Sequence, residues 1–145
     1  MRPIHFLPAL FLLLCTALIS CGKKGDPFLP AMEGGGGRVS GLKGEWDGKF
    51  VLLSGRIHEA TGQDAGVRAY FGSYPVDQPP CDGCPIEYQG FQSFGPEVVS
   101  ESVFSCEMTE IKPGNIYFFE VRVIGPGGNQ GPPSNRVQVE VPEVR

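Results

Sequence analysis

The sequence predicts an all-β fold, an antiparallel β-sandwich carried on a cleaved leader and a flexible tether. Three observations lead there. Beyond residue 20 helical periodicity is nearly absent, and short runs of apolar/polar alternation recur in its place. The runs are separated by turn-formers, and the chain carries 21 Gly and 14 Pro, more than helices tolerate. The residues between the apolar positions are polar, which gives each strand one buried and one solvated face, the pattern of antiparallel sheets.

The first element is the leader. Met1-Arg2 supplies a short positive region, and Phe6 to Ile19 an apolar run interrupted by Pro8 and Thr16. Leu18-Ile19-Ser20-Cys21 supplies the cleavage site. The order and lengths are those of a secretory signal, and the run is short for a transmembrane helix. A small residue (Ser20) before a thiol (Cys21) is what a lipobox requires, with cleavage between them and a covalent lipid, palmitate included, on Cys21. Each buried CH₂ contributes roughly 0.8 kcal/mol, so three acyl chains make the attachment effectively permanent. Cys15, preceded by Leu14, is read as filler of the apolar run. Residues 1–20 are thus expected to be removed, and the working protein to sit lipid-anchored in a cell envelope. Gly22 differs from the Asp that retains many lipoproteins at the inner membrane, which favours the periplasmic face of an outer membrane.

Residues 21–37 form the expected lipidated N-terminus and linker, with Pro27, Pro30 and Gly34-Gly35-Gly36-Gly37. Cys21-Gly22-Lys23-Lys24-Gly25-Asp26-Pro27-Phe28-Leu29-Pro30 resembles the mature start of the LptM family of small lipoproteins, with Asp26 as an insertion before Pro27. The resemblance covers about ten residues. It implies a link to assembly of the outer-membrane lipopolysaccharide translocon. Read from the residues alone, the stretch is a solvated basic spacer beside anionic headgroups.

Residues 38–145 are enough for one small domain. The whole chain has a formal charge of −4, and losing Arg2 with the leader makes it −5. That argues against nucleic-acid binding, which needs a basic face. The strand signals run in order. Phe50 to Ile57 is an apolar run of strand length, and Val67, Ala69 and Phe71 alternate with Arg68 and Tyr70. Pro75 to Ser100 is poor in strand signal. Phe104, Cys106 and Met108 alternate with Ser105 and Glu107; Tyr117, Phe119, Val121 and Val123 with Phe118, Glu120 and Arg122; Val137, Val139 and Val141 with Gln138 and Glu140. Turns are expected at Thr61-Gly62, at Lys112-Pro113-Gly114-Asn115 and at Gly125 to Asn129.

The last third is more specific. Ile111, Pro113, Gly114 and Tyr117 stand at the spacing Leu-x-Pro-Gly-x-x-Tyr, and Gly131-Pro132-Pro133-Ser134 precedes the last strand. Together they resemble the end of a fibronectin type III domain, an immunoglobulin-like sandwich. The resemblance implies a tyrosine corner, with the Tyr117 hydroxyl bonded back to the backbone and its ring in the core. The chain departs from that family after Leu53-Ser54, where Gly55 stands in place of Trp. The single tryptophan, Trp46, lies earlier and is expected to fill the same core space from the first strand or a neighbouring loop. Such folds host many unrelated functions, so the resemblance is silent on chemistry.

Cys81-Asp82-Gly83-Cys84 is read as a structural disulfide pinning a loop, as suits an oxidising compartment. Two other readings compete. A redox-active pair needs a thiolate of lowered pKa, usually at a helix N-terminus, whereas Pro85-Ile86-Glu87-Tyr88 reads extended. A zinc site needs four ligands, and only Cys106 or His58 is left to add. Cys106 itself reads as a buried apolar residue, or as a partner for Cys81 or Cys84.

No catalytic residues and no metal ligands are assigned. His58, the one imidazole outside the leader, stands at a strand end and reads as a surface residue. Asp47, Asp64, Asp77 and Asp82 lie in turn contexts without calcium-loop spacing. Tyr74, Tyr88, Phe91 and Phe94 surround the cysteine loop, with Gln78, Gln89 and Gln92 nearby. We read these rings as packing beneath the loop as a satellite cluster. The alternative is an exposed patch for a protein or a glycan. The expected function is a membrane-anchored binding or scaffolding module for an envelope protein, without a cofactor other than the lipid on Cys21. The alternatives are a thiol–disulfide factor using Cys81 and Cys84, and a glycan- or peptidoglycan-binding module.

Overall fold

The computed structural model describes residues 37–59, 66–125 and 127–143. The leader, Cys21 and nearly all of the tether lie outside the described residues. Among the described residues eight strands are formed: β1 (Arg38–Trp46), β2 (Val51–His58), β3 (Gly66–Pro75), β4 (Gly90–Phe94), β5 (Val99–Ser100), β6 (Val103–Met108), β7 (Asn115–Ile124) and β8 (Val137–Val141). They pair antiparallel in two four-stranded sheets, ordered β1-β2-β6-β5 and β4-β3-β7-β8. In immunoglobulin-type lettering, β1, β2, β6 and β5 take places A, B, E and D. Strands β3, β7 and β8 take C, F and G, and β4 is added beside C. The fold is the antiparallel sandwich expected from the alternation.

The alternating runs bury most of the residues the pattern assigns, with Phe71 and Val137 partly buried against the core. Val51, Leu53 and Ile57 face inward from β2, and Phe104, Cys106 and Met108 from β6. Val67 and Ala69 face inward from β3, Tyr117, Phe119, Val121 and Val123 from β7, and Val139 and Val141 from β8. β-branched residues dominate because their stiff side chains pack well on a pleated surface.

Strand β1 was hidden from the pattern by a bulge. Val39 and Leu42 are both buried although three residues apart, because the register with β2 shifts between Ser40 and Lys43. Gly41, at φ 61°, absorbs the extra residue. The bulge leaves the backbone of Leu42 without ladder partners, and the Asn135 amide supplies them. Its Oδ1 accepts from the Leu42 N–H at 2.9 Å, and its Nδ2 donates to the Leu42 carbonyl at 3.1 Å. The Gly131–Asn135 segment is held along β7, where the Ser134 N–H donates to the Val121 carbonyl at 3.0 Å and the Val121 N–H to Ser134 Oγ at 2.9 Å.

The departure at Gly55 is resolved by its cross-strand neighbour. Gly55 pairs with Phe104, and a Cβ on Gly55 would stand 2.8 Å from that ring. Phe104 therefore occupies the space a tryptophan would fill. Trp46, at the end of β1 opposite Val51, packs half-buried against the core. The tyrosine corner is formed: the Lys112 N–H donates to the Tyr117 hydroxyl at 2.7 Å.

The stretch from Pro75 to Ser100 needs correction. It is not strand-poor throughout, because it contains β4, a 3-10 turn over Pro96–Val98 and β5. The alternation failed there because β4 is an edge strand with Phe91 facing out and Phe94 facing in, so an odd spacing of rings conceals the period of two.

Candidate functional site

The four rings singled out around the cysteine loop do not form one site. Phe94 pairs with Val67 and packs against the core from the inner face of β4. Tyr74 points outward at the far end of β3, edge-on to Phe118 at 5.9 Å, and its hydroxyl accepts the Glu87 N–H at 3.1 Å. The loop crosses the sheet at Gly72, where an added Cβ would meet the Glu87 carbonyl oxygen and, at 3.1 Å, Ile86. Tyr74 and Phe118 thus belong to the satellite cluster beside the loop. Tyr88 and Phe91 lie on the other side of this crossing, and there the rings reach the surface.

Strand register builds that surface. Tyr70 stands opposite Phe91 on β4 and opposite Glu120 on β7; Arg68 stands opposite Ser93 and opposite Arg122. All of these are outward positions. The Phe91 ring is 56% exposed and carries the Arg68 guanidinium 4.5 Å from its centroid. Arg68 is fixed by its Nε, which donates to Ser93 Oγ at 3.0 Å. Tyr70 packs against Phe91 at 5.8 Å and Tyr88 at 6.2 Å, with Arg122 5.5 Å from its ring. The result is a ladder of alternating cations and π-faces, each contact worth about 0.5–1 kcal/mol on a solvated sheet.

Polar bonds pin the ladder. The Tyr70 hydroxyl donates to Gln130 Oε1 at 2.8 Å, and the Tyr88 hydroxyl to Glu120 Oε2 at 3.0 Å. Arg122 donates through Nε and Nη2 to Glu120 Oε1 at 3.2 and 3.0 Å. Burial pushes the Tyr88 phenol above its ordinary pKa, Arg136 opposes the shift, and the Glu120 carboxylate adds to it. Between Tyr70, Tyr88, Phe91, Glu120 and Arg122 lies an open groove of about 490 Å³. Arg68, Tyr70, Glu120 and Arg122 were not among the expected site residues. Their signal was present in the sequence as the polar alternates of two strands; what placed them beside Phe91 was cross-strand register.

Cys81 and Cys84 are joined in a disulfide, with Cα atoms 5.4 Å apart. They close a turn in which the Cys84 N–H donates to the Cys81 carbonyl at 3.0 Å and Gly83 has φ 78°, the signature of type II. The pair sits on a turn rather than at a helix N-terminus, and its bonded sulfurs offer no thiolate to a metal. Cys106 is a buried free cysteine, 2% exposed, with its thiol pKa pushed up to about 12 by burial.

His58 is exposed at the end of β2, where Ser40 Oγ lies 2.6 Å from its Nε2. No carboxylate hydrogen-bonds the imidazole among the described residues, so the third member that orients a Ser–His pair is not formed there. Among the described residues no group of three or more His, Cys, Asp or Glu is placed to hold a metal ion, and no helix is long and apolar enough to cross a membrane.

The chain matches no family model and no curated protein. Among solved structures, one titled "Myokine structure" is similar over 74% of this chain and 93% of its own, at 18% identity and a TM-score of 0.43. That likeness carries no functional argument.

Proposed function

We propose that this chain is a lipid-anchored envelope binding module whose contact surface is the outer face of the β4-β3-β7 sheet. Cys21 holds it to the membrane, residues 22–37 give it reach, and the sandwich presents Phe91, Tyr70 and Tyr88 with their arginines to a protein partner. One observation carries the reading. A large exposed ring, Phe91, stands on a rigid strand among Tyr and Arg side chains that are already oriented by hydrogen bonds. Tyr and Arg are enriched at interface hot spots, and side chains ordered before binding lose little entropy on contact. The resemblance of Cys21–Pro30 to LptM supports the lipopolysaccharide translocon as the neighbourhood in which that partner is sought.

The test is photo-crosslinking in intact cells from position 91, with position 105 on the opposite sheet as control. A discrete adduct from 91 that vanishes with Tyr70→Ala supports the reading; equal adducts from both positions refute it. A glycan contact, the second outcome supported by exposed rings beside Gln89 and Glu120, appears as binding to purified cell-wall fragments that Phe91→Ala removes. The anchor is checked separately: palmitate labelling of wild type is expected to be lost in Cys21→Ala, and equal labelling of both removes that part. A thiol–disulfide role predicts loss of function in the Cys81→Ser/Cys84→Ser variant, whereas the binding role predicts an unchanged crosslink.

A further inference from the structure

The opposite face of the sandwich is not featureless. On the outer face of the β1-β2-β6 sheet, register arranges the side chains in rows. Glu45, Leu52 and Glu107 form the row at one end, then Lys43, Ser54 and Ser105, then Ser40, Arg56 and Val103, and last Arg38 and His58. Charge is therefore sorted along the face. Glu45 and Glu107 lie at one end with Lys43 in the next row, and Arg38 and Arg56 lie toward the end where the chain enters the domain, flanked there by Glu59 and by the turn that carries Glu101. Two open hollows join there, about 290 Å³ at Arg38, Ser40, His58 and Glu59, and about 470 Å³ along Lys43, Ser54 and Arg56. Glu59 is the one acid on their rim.

The domain as a whole is acidic. Residues 38–143 hold eight Lys and Arg against fourteen Asp and Glu, so a patch where three cations stand against Glu59 and the neighbouring Glu101 is a local inversion of about one charge. None of the three is in an ion pair among the described residues, where the one salt bridge is Arg122–Glu120. Val103, 44% exposed, adds an apolar side chain beside Arg56 on the β6 side. The patch starts at Arg38, the first strand residue after the tether, and Lys23 and Lys24 lie near the far end of that tether.

We infer that this patch is a membrane-facing surface that rests on anionic lipid headgroups and so turns the opposite, aromatic face of the sandwich away from the bilayer. The inference rests on the lipid-anchor reading. Each Lys or Arg near an anionic surface contributes a share of the attraction, and Glu59 on the rim and the Glu45/Glu107 row beside Lys43 subtract from it. An anchored domain needs only a small orienting preference, because the lipid supplies residence. Three cations against Glu59 and Glu101 beside them leave about one net charge, which weights the oriented state over free tumbling by roughly 5-fold.

The experiment is amide NMR of the chain from Cys21 onward, held on lipid nanodiscs that carry a headgroup-attached gadolinium chelate. Material that bears its own acyl chains is reconstituted directly. Material without them is coupled through the Cys21 thiol to a maleimide lipid, so failure of the anchor reading leaves this test intact. On discs containing phosphatidylglycerol, the amides of Arg56 and Val103 are expected to broaden several-fold more than those of Ser93 and Arg122. The difference is expected to vanish on phosphatidylcholine discs, at high salt, and in Arg38→Gln/Lys43→Gln/Arg56→Gln. The salt series on the wild-type chain keeps the test valid should that variant misfold. Equal broadening on the two faces, a preference that survives on neutral lipid, or dependence on Lys23 and Lys24 alone overturns the inference.

Discussion

Tyr117→Phe isolates one bond on which the corner between β6 and β7 depends. The ring is 2% exposed and stays in place, so the substitution removes only the hydroxyl that accepts the Lys112 N–H at 2.7 Å. The apolar ring continues to fill the core against Phe119, stacked at 5.8 Å. What is lost is one part-buried hydrogen bond, and the Lys112 N–H, on an exposed residue, regains part of its hydration. Net hydrogen-bond contributions and the cost of an orphaned donor place the destabilisation at about 1–2 kcal/mol. For a domain of this size that lowers Tm by about 4–16 °C, since about 1 kcal/mol shifts Tm by about 4–8 °C at 60–100 residues. Thermal and urea unfolding followed by circular dichroism read it directly, with an unchanged m-value showing that the unfolded state is not the cause. Tyr117→Ala serves as the scale, because deleting the ring as well costs about 3–5 kcal/mol. A Tyr117→Phe domain that melts within about 2 °C of wild type would refute the argument that this bond braces the corner.

Three further outcomes are expected. Cys81→Ser/Cys84→Ser opens a four-residue loop, for which the chain-entropy estimate is about 2 kcal/mol; denaturant midpoints check it, and a loss above about 4 kcal/mol would mean that the disulfide holds more than its own turn. Glu101 and Ser102 sit at φ 49° and 67° between β5 and β6, where a type I′ turn favours glycine at the second position. Ser102→Gly is therefore expected to stabilise by roughly 0.5–1 kcal/mol, and a lower Tm would contradict it. Cys106 holds its proton in the folded state up to about pH 12, while an unfolded thiol ionises near its ordinary value. Its contribution is complete below that ordinary value and declines as pH rises toward 12, by up to about 1.4 kcal/mol per pH unit. Comparing wild type with Cys106→Ala at pH 8 and pH 10.5 isolates the effect, and an equal difference between them at both pH values refutes it.

Much of this sandwich was legible because its strands obey a period of two. In Tyr117–Val123 and Phe104–Met108 the inward residues are apolar and the outward ones are largely polar, so burial could be read residue by residue. The tyrosine corner was legible through the resemblance of Ile111, Pro113, Gly114 and Tyr117 to the end of a fibronectin type III domain, and Gly114 does adopt φ 74°. Strand β1 was obscured by its bulge, and β4 by rings on both faces. The aromatic ladder was only half visible. Tyr88 and Phe91 stood out as rings, but the sequence grouped them with Phe94 and Tyr74, which the fold sends to the core and to the loop cluster.

By itself, the sequence determined the class of fold and the inward faces of the regular strands, because alternation depends on residues within a few positions of one another; the corner came with the family resemblance, and the cysteine pair was one of three readings. Tertiary structure alone decided which outward side chains meet. Arg68, Phe91 and Arg122 are far apart in the chain, and they share a face only because β3 pairs with β4 on one side and β7 on the other. The same applies to the cations of β1 and β2, and to Asn135 at the Leu42 bulge. Alternation says which way a side chain points, but its neighbours across the sheet follow from strand order and register, which the packing of the whole core selects.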